Sequence, residues 1–120
     1  RRIFAGADFF LMPSRFEPCG LAQQYAMRYG TIPVVRKTGG LADTVYDLNN
    51  NHLYPNGFLF MESTCESLIN VIHRAIELYR KPDLFKKIRR NCLNSSCSWD
   101  LAAKKYIEVY NWALKGKSLA

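Results

Sequence analysis

In the first half of the chain short continuous apolar runs alternate with stretches at helical spacing, and in the second half the spacing is helical throughout. Phe9-Phe10-Leu11-Met12 is closed by Pro13-Ser14, Ile32-Pro33-Val34-Val35 leads into Arg36-Lys37, and Gly57-Phe58-Leu59-Phe60 is the third run. Runs of this length without polar alternation suit strands covered on both faces, as in a parallel sheet. Between the first two, Leu21, Tyr25, Ala26 and Tyr29 recur at helical spacing, and Gly30 supplies the stop. Pro18 suits the first turn of that helix, where a missing N–H loses nothing. Pro33 belongs at the start of its strand, where no ladder bond is lost. Strand, helix and strand in this order make a βαβ unit. A short helix is predicted from Leu41 to Tyr46, before the polar stretch Asn49-Asn50-Asn51.

The second half reads as helices. Ser63 and Glu66 have the spacing of a capping box. Leu68, Ile69, Ile72, Ala75, Ile76 and Tyr79 then draw one apolar face. Pro82 restarts a helix whose buried side is Leu84, Phe85, Ile88 and Cys92. Ser98 is placed to cap a last helix that buries Trp99, Ala102, Ala103, Tyr106, Val109, Tyr110 and Ala113, with Trp99 and Trp112 as packing anchors. Tyr25 and Tyr29 are assigned to the core, with a sugar platform as the alternative. The fold class is α/β, with a βαβ core over 1–60 and helices over 61–120. There is no internal repeat and no long linker.

Composition narrows this further. With 120 residues, 48% hydrophobic and 22% charged, the chain is neither disordered nor fibrous. It has room for one compact domain and not for a two-domain enzyme. It opens Arg1-Arg2-Ile3 without an initiator Met, which reads as a piece of something longer. No apolar run approaches the roughly 20 residues of a membrane span, so no membrane partner is expected. Cys19, Cys65, Cys92 and Cys97 read as reduced thiols. His52 and His73 lie away from any Cys pair at ligand spacing, so no structural metal is expected. The net charge of +7 is uneven. Residues 1–60 contribute +2 and residues 61–120 contribute +5, in pairs such as Lys86-Lys87, Arg89-Arg90 and Lys104-Lys105. Such pairs mark a solvated helical face, with polyanion or nucleic-acid binding as the alternative.

Two loops carry the candidate chemistry, and both follow a strand. Open α/β sheets bind ligands at that edge. The first loop runs from Ser14 to Leu21. Gly20 allows another group close to the backbone, and a helix start near Pro18 would offer amides to a phosphate. Glu17 there is either a cap for its own helix or a carboxylate projecting into the crevice, to bind sugar hydroxyls or steady developing positive charge. The second loop is Thr38-Gly39-Gly40, either a tight turn or an N–H nest for an anion. Arg36-Lys37 either touches phosphate or flanks the strand in solvent. Cys19 lacks a nearby His to activate it as a nucleophile.

At these loops the sequence resembles starch and bacterial glycogen synthases. The matching stretches are Pro13-Ser14-Arg15-Phe16-Glu17-Pro18-Cys19-Gly20-Leu21, then Ala26-Met27-Arg28-Tyr29-Gly30-Thr31-Ile32-Pro33, then Thr38-Gly39-Gly40-Leu41-Ala42-Asp43-Thr44-Val45. Ser98-Trp99 before the last helix is similar too. The resemblance implies a retaining glycosyltransferase of the GT-B fold. Two Rossmann-like domains would face each other across the active site, and this chain would be the last portion of the C-terminal, nucleotide-sugar-binding one. It implies transfer of glucose from ADP-glucose to the 4-position of an α-1,4-glucan, with no metal and no cofactor. Carried over by position, Glu17 is the catalytic carboxylate at the donor glucose. Cys19, Gly20 and Leu21 line the donor pocket, and Thr38, Gly39 and Gly40 form the neighbouring donor loop. Many other retaining GT-B enzymes have a second glutamate where this chain has Tyr25; synthases of this family commonly lack it. The bases that neutralise the diphosphate, the nucleotide-base contacts and the glucan-binding domain lie upstream in the family. The chain alone is therefore expected to make no glucan. A UDP- or GDP-sugar donor is the neighbouring alternative, and a basic nucleic-acid-binding module a more distant one. The implied compartment is the bacterial cytoplasm or the plastid stroma.

Overall fold

In the computed structural model, residues 1–50, 52–95 and 98–115 are described. Asn51 and Cys97, named above, lie outside the described residues. The elements are α1 (Arg2–Gly6), β1 (Phe9–Met12), α2 (Ala22–Arg28), β2 (Ile32–Arg36), α3 (Gly39–Thr44), β3 (Phe58–Phe60), α4 (Cys65–Tyr79), α5 (Pro82–Asn94) and α6 (Trp99–Leu114).

The three strands are parallel, in the order β1-β2-β3. Phe9 pairs with Ile32 and Met12 with Val35, while Val34 pairs with Phe58. The central strand β2 is buried from Ile32 to Val35, as its unbroken apolar run predicts. Pro33 sits second in that strand without loss. Ile32 N–H donates to Asp8 on the β1 side, so position 33 faces β3, whose pairing begins one residue later at Val34.

Side chains alternate across the sheet. Ile32, Val34, Phe58 and Phe60 face a large core completed by Met27 of α2, Val71, Ala75 and Leu78 of α4, and Phe85, Ile88 and Cys92 of α5. Val35 faces a smaller core with Leu41 and Val45, flanked by Met12 and Leu59. Phe9 joins the large core through its ring, 5.7 Å from Phe85 and 6.4 Å from Phe58.

Several expectations are corrected. β1 is half-buried and not covered on both faces, because it is an edge of this sheet. α4 is capped by Thr64, whose hydroxyl accepts from Ser67 N–H; Ser63 lies one residue too early. α4 buries Val71, Ala75 and Leu78, whereas Ile69, Ile76 and Tyr79 are exposed. That helix carries two apolar stripes, and the sheet takes 68-71-75-78. On α2 the buried face is Gln23, Ala26 and Met27, and Tyr25 and Tyr29 point outward. α3 begins at Gly39, two residues before the expected start. α5 matches expectation. α6 buries none of its residues: Trp99 is 80% exposed, and Tyr106, Val109 and Tyr110 are exposed as well. The paired bases Lys86-Lys87 and Lys104-Lys105 are exposed.

Two buried polar residues tie the loop before β3 to the helices. Asp47 accepts from Leu59 N–H at 2.6 Å and Asn49 N–H at 2.8 Å, and pairs with the Arg74 guanidinium. Asn56 accepts from Tyr46 N–H at 2.7 Å and donates to Ser95 Oγ at 3.0 Å. Apolar periodicity marks neither residue, since both are polar residues in a polar stretch. Among the described residues no helix is long and apolar enough to cross a membrane.

Candidate functional site

Because β1 and β2 are parallel neighbours, their carboxyl ends at Met12 and Arg36 lie on the same edge. The loops that follow them therefore start side by side. All seven candidate residues, Glu17, Cys19, Gly20, Leu21, Thr38, Gly39 and Gly40, belong to these loops or to the first positions of α3.

The first loop is not the helix start that Pro18 suggested. Gly20 adopts φ +68°, a left-handed conformation that a right-handed helix cannot include. α2 accordingly begins at Ala22, with Leu21 as an exposed N-cap residue. Glu17 folds back on its own loop: Oε1 accepts from Gly20 N–H at 3.0 Å. This contact closes a loop and does not cap a helix. Glu17 is half-buried, Cys19 is exposed and Gly20 is buried.

The second loop docks on the first through backbone. Gly40 N–H is shared between the carbonyls of Glu17 at 3.2 Å and Pro18 at 3.1 Å. A Cβ at Gly39 would stand 1.9 Å from the Glu17 carbonyl oxygen, and one at Gly40 would stand 2.0 Å from that of Cys19. The Gly39-Gly40 pair is thus a close-approach device. The Gly40 amide, a candidate member of an anion nest by sequence, is already donated to the first loop. Thr38, half-buried and extended, is the N-cap residue of α3.

Arg36 does not merely flank its strand in solvent. Its guanidinium donates to the carbonyls of Ser14 at 3.0 Å, Arg15 at 2.6 Å and Met61 at 3.4 Å. One side chain at the end of β2 thereby ties the loop after β1 to the loop after β3.

Gln23 is a further residue that apolar periodicity does not mark. It is 0% exposed, and its Nε2 donates to the Gly20 carbonyl at 2.7 Å and to Thr44 Oγ1 at 3.1 Å. Thr44 in turn donates to the Gly40 carbonyl at 2.7 Å. The available signal was a polar residue three positions before Ala26 and four before Met27, on the face those two bury. Among the described residues Gln23 Oε1 is buried without a hydrogen-bond partner, a situation that costs about 1–3 kcal/mol.

Beside the first loop a surface cleft of about 500 Å³ runs between the outer face of α2 and the start of α6, with Leu21, Tyr25, Arg28 and Trp99 on its walls. Cys19 and Cys65 are free and exposed, and Cys92 is free and buried. Among the described residues no three His, Cys, Asp or Glu side chains gather as metal ligands would.

Known proteins resemble this chain. The chain is 50% identical over 114 residues to a glycogen synthase of Kosmotoga olearia, covering 95% of this chain and 24% of that protein. It is 48% identical over 115 residues to a glycogen synthase of Thermotoga petrophila, again covering 95% and 24%. The chain therefore spans about a quarter of the length of the relatives it matches. Among solved structures, the catalytic domain of starch synthase IV from Arabidopsis thaliana, bound to ADP and acarbose, superposes with a TM-score of 0.82 at 36% identity. That match covers 94% of this chain and 24% of the other. A sucrose-phosphate synthase from Thermosynechococcus elongatus shares the fold, with a TM-score of 0.62 at 24% identity over 96% of this chain and 27% of its own. Residues 1–92, which include both loops and the whole sheet, match the glycosyl transferases group 1 family, and the chain belongs to that family.

Proposed function

We propose that the full-length protein carrying this segment transfers glucose from ADP-glucose to the non-reducing end of an α-1,4-glucan, with retention at the anomeric carbon. The observation that carries this reading is the backbone docking of the Glu17 loop on the Gly39-Gly40 loop at one sheet edge. The identity to glycogen synthases supports it. So does the starch synthase IV relative, whose bound ADP and acarbose fit a nucleotide-sugar donor beside a glucan.

In this reading Glu17 is the carboxylate at the donor glucose. The Gly20 amide fixes one of its oxygens, which holds the charge where the oxocarbenium-like transition state needs it. Cys19, Gly20 and Leu21 line the donor pocket, and Thr38, Gly39 and Gly40 form its second wall. The bases that balance the diphosphate, and the surface that binds the glucan, come from the rest of the protein. Separated from them, the segment elongates no glucan. The compartment follows the source of the protein, bacterial cytoplasm or plastid stroma.

The test is glucan elongation by the full-length protein with ADP-, UDP- and GDP-glucose side by side. A preference for ADP-glucose supports the proposal. Transfer from another donor at higher kcat/KM moves the protein to a neighbouring synthase class, and no transfer from any of them removes the proposal.

A further inference from the structure

We infer that Gln23 is a positioning residue that locks the two loops together and thereby aims Glu17. The inference rests on the donor-site reading of those loops and adds a residue to it.

The orientation of the Gln23 amide is fixed by its partners. Thr44 spends its hydroxyl proton on the Gly40 carbonyl, so it can only accept from Gln23. The Gly20 carbonyl can only accept as well. Both contacts therefore require the Gln23 NH₂ group, and Oε1 is left to a place where none of the described residues donates to it. An apolar residue of the same length would fill this site without an orphaned oxygen. The NH₂ group is what the position uses.

That group completes a continuous chain of contacts. It runs from the Gly40 carbonyl to Thr44, to Gln23, to the Gly20 carbonyl, and through Gly20 N–H to Glu17 Oε1. The side chain of Gln23 also occupies the space beside Gly20, where a Cβ would meet it at 2.6 Å. Gln23 thus holds Gly20 in the left-handed conformation whose amide faces Glu17. It reaches no solvent, so it acts on Glu17 through Gly20 and does not touch substrate.

The test uses the full-length protein with Gln23→Met, which keeps length and volume and removes both donors. The expected result is a fall in kcat of about tenfold or more, as small misplacements of a catalytic group produce. KM for ADP-glucose should change less than about threefold. Hydrogen exchange at the Gly20 and Gly40 amides should quicken while exchange in β2 stays as it was. Thr44→Val should act in the same direction, and Thr44→Ser should restore what it loses. Wild-type kcat with unchanged exchange at Gly20 and Gly40 overturns the inference. So does a kcat loss that only follows the folded fraction, with Thr44→Ser no better than Thr44→Val. If the wild-type protein transfers from no nucleotide sugar, the proposed function fails, and the exchange comparison still decides whether Gln23 locks the loops.

Discussion

Gly40 lies directly against Cys19: a Cβ on Gly40 would come within 2.0 Å of the Cys19 carbonyl oxygen and 2.7 Å of its Cα. Both obstacles are backbone, so neither can rotate aside. Gly40→Ala must therefore separate the two loops or shift a strand end. Overpacking of this kind costs about 1–3 kcal/mol, and the separation also breaks the Gly40 N–H contacts with Glu17 and Pro18. The expected outcome is a lowered melting temperature together with a loss of transfer larger than the loss of folded protein. An alanine variant with normal stability and turnover would show that the loops are not in contact.

Glu17→Gln separates charge from shape. Its amide oxygen can still accept from Gly20 N–H, as Oε1 does at 3.0 Å, so the loop should keep its form. The negative charge is lost where positive charge is proposed to develop. Turnover should fall about a hundredfold or more, the scale of removing one transition-state contact, with the melting temperature nearly unchanged. Near-normal elongation by this variant takes Glu17 out of the catalytic role.

Arg36→Lys tests the clamp at the end of β2. The guanidinium spans three carbonyls, those of Ser14, Arg15 and Met61. An ammonium keeps the charge and cannot reproduce that planar fork. Losing one or two of these bonds should cost about 1–2 kcal/mol, and the loop after β1 should open more often. Limited trypsin digestion reads this as faster cleavage after Arg15. An unchanged cleavage rate would mean that the clamp does not restrain the loop.

Strand positions were legible because a four-residue apolar run bounded by turn residues is too short for a helix, and β2 is buried along the run that announced it. The two loops that meet at one sheet edge were legible on different grounds: glycines and a proline clustered after a strand. What escaped was set by three-dimensional competition. Pro18 favours a helix start, but Gly20 at positive φ forbids one, and the backbone follows Gly20. Gln23 is polar and buried, so apolar periodicity carries no trace of it. On α4 both stripes fit helical spacing, and contact with Phe58 and Val34 selected Val71 over Ile69. On α6 the apolar residues are real, but no described part of the chain covers them.

Cys92 carries a pH signature. It lies on the buried side of α5 and donates its thiol to the Asn56 carbonyl at 3.0 Å. Burial pushes its pKa from 9.0 up to about 12, against smaller opposing effects of a backbone hydrogen bond and Arg89. The folded value exceeds the unfolded one, so the unfolded chain loses this proton first. The stabilising contribution is full below about pH 9 and is lost between about pH 9 and about pH 12. Within that window it amounts to about 1.4 kcal/mol per pH unit. Urea titrations at about pH 8 and about pH 10 should show wild-type protein losing more stability than Cys92→Ala, which has no thiol to ionise. Iodoacetamide at neutral pH should label exposed Cys19 and Cys65 and spare Cys92 until urea unfolds the chain. Equal pH losses in the two proteins, or prompt labelling of native Cys92, would place its thiol in solvent and break the link between α5 and the Asn56 loop.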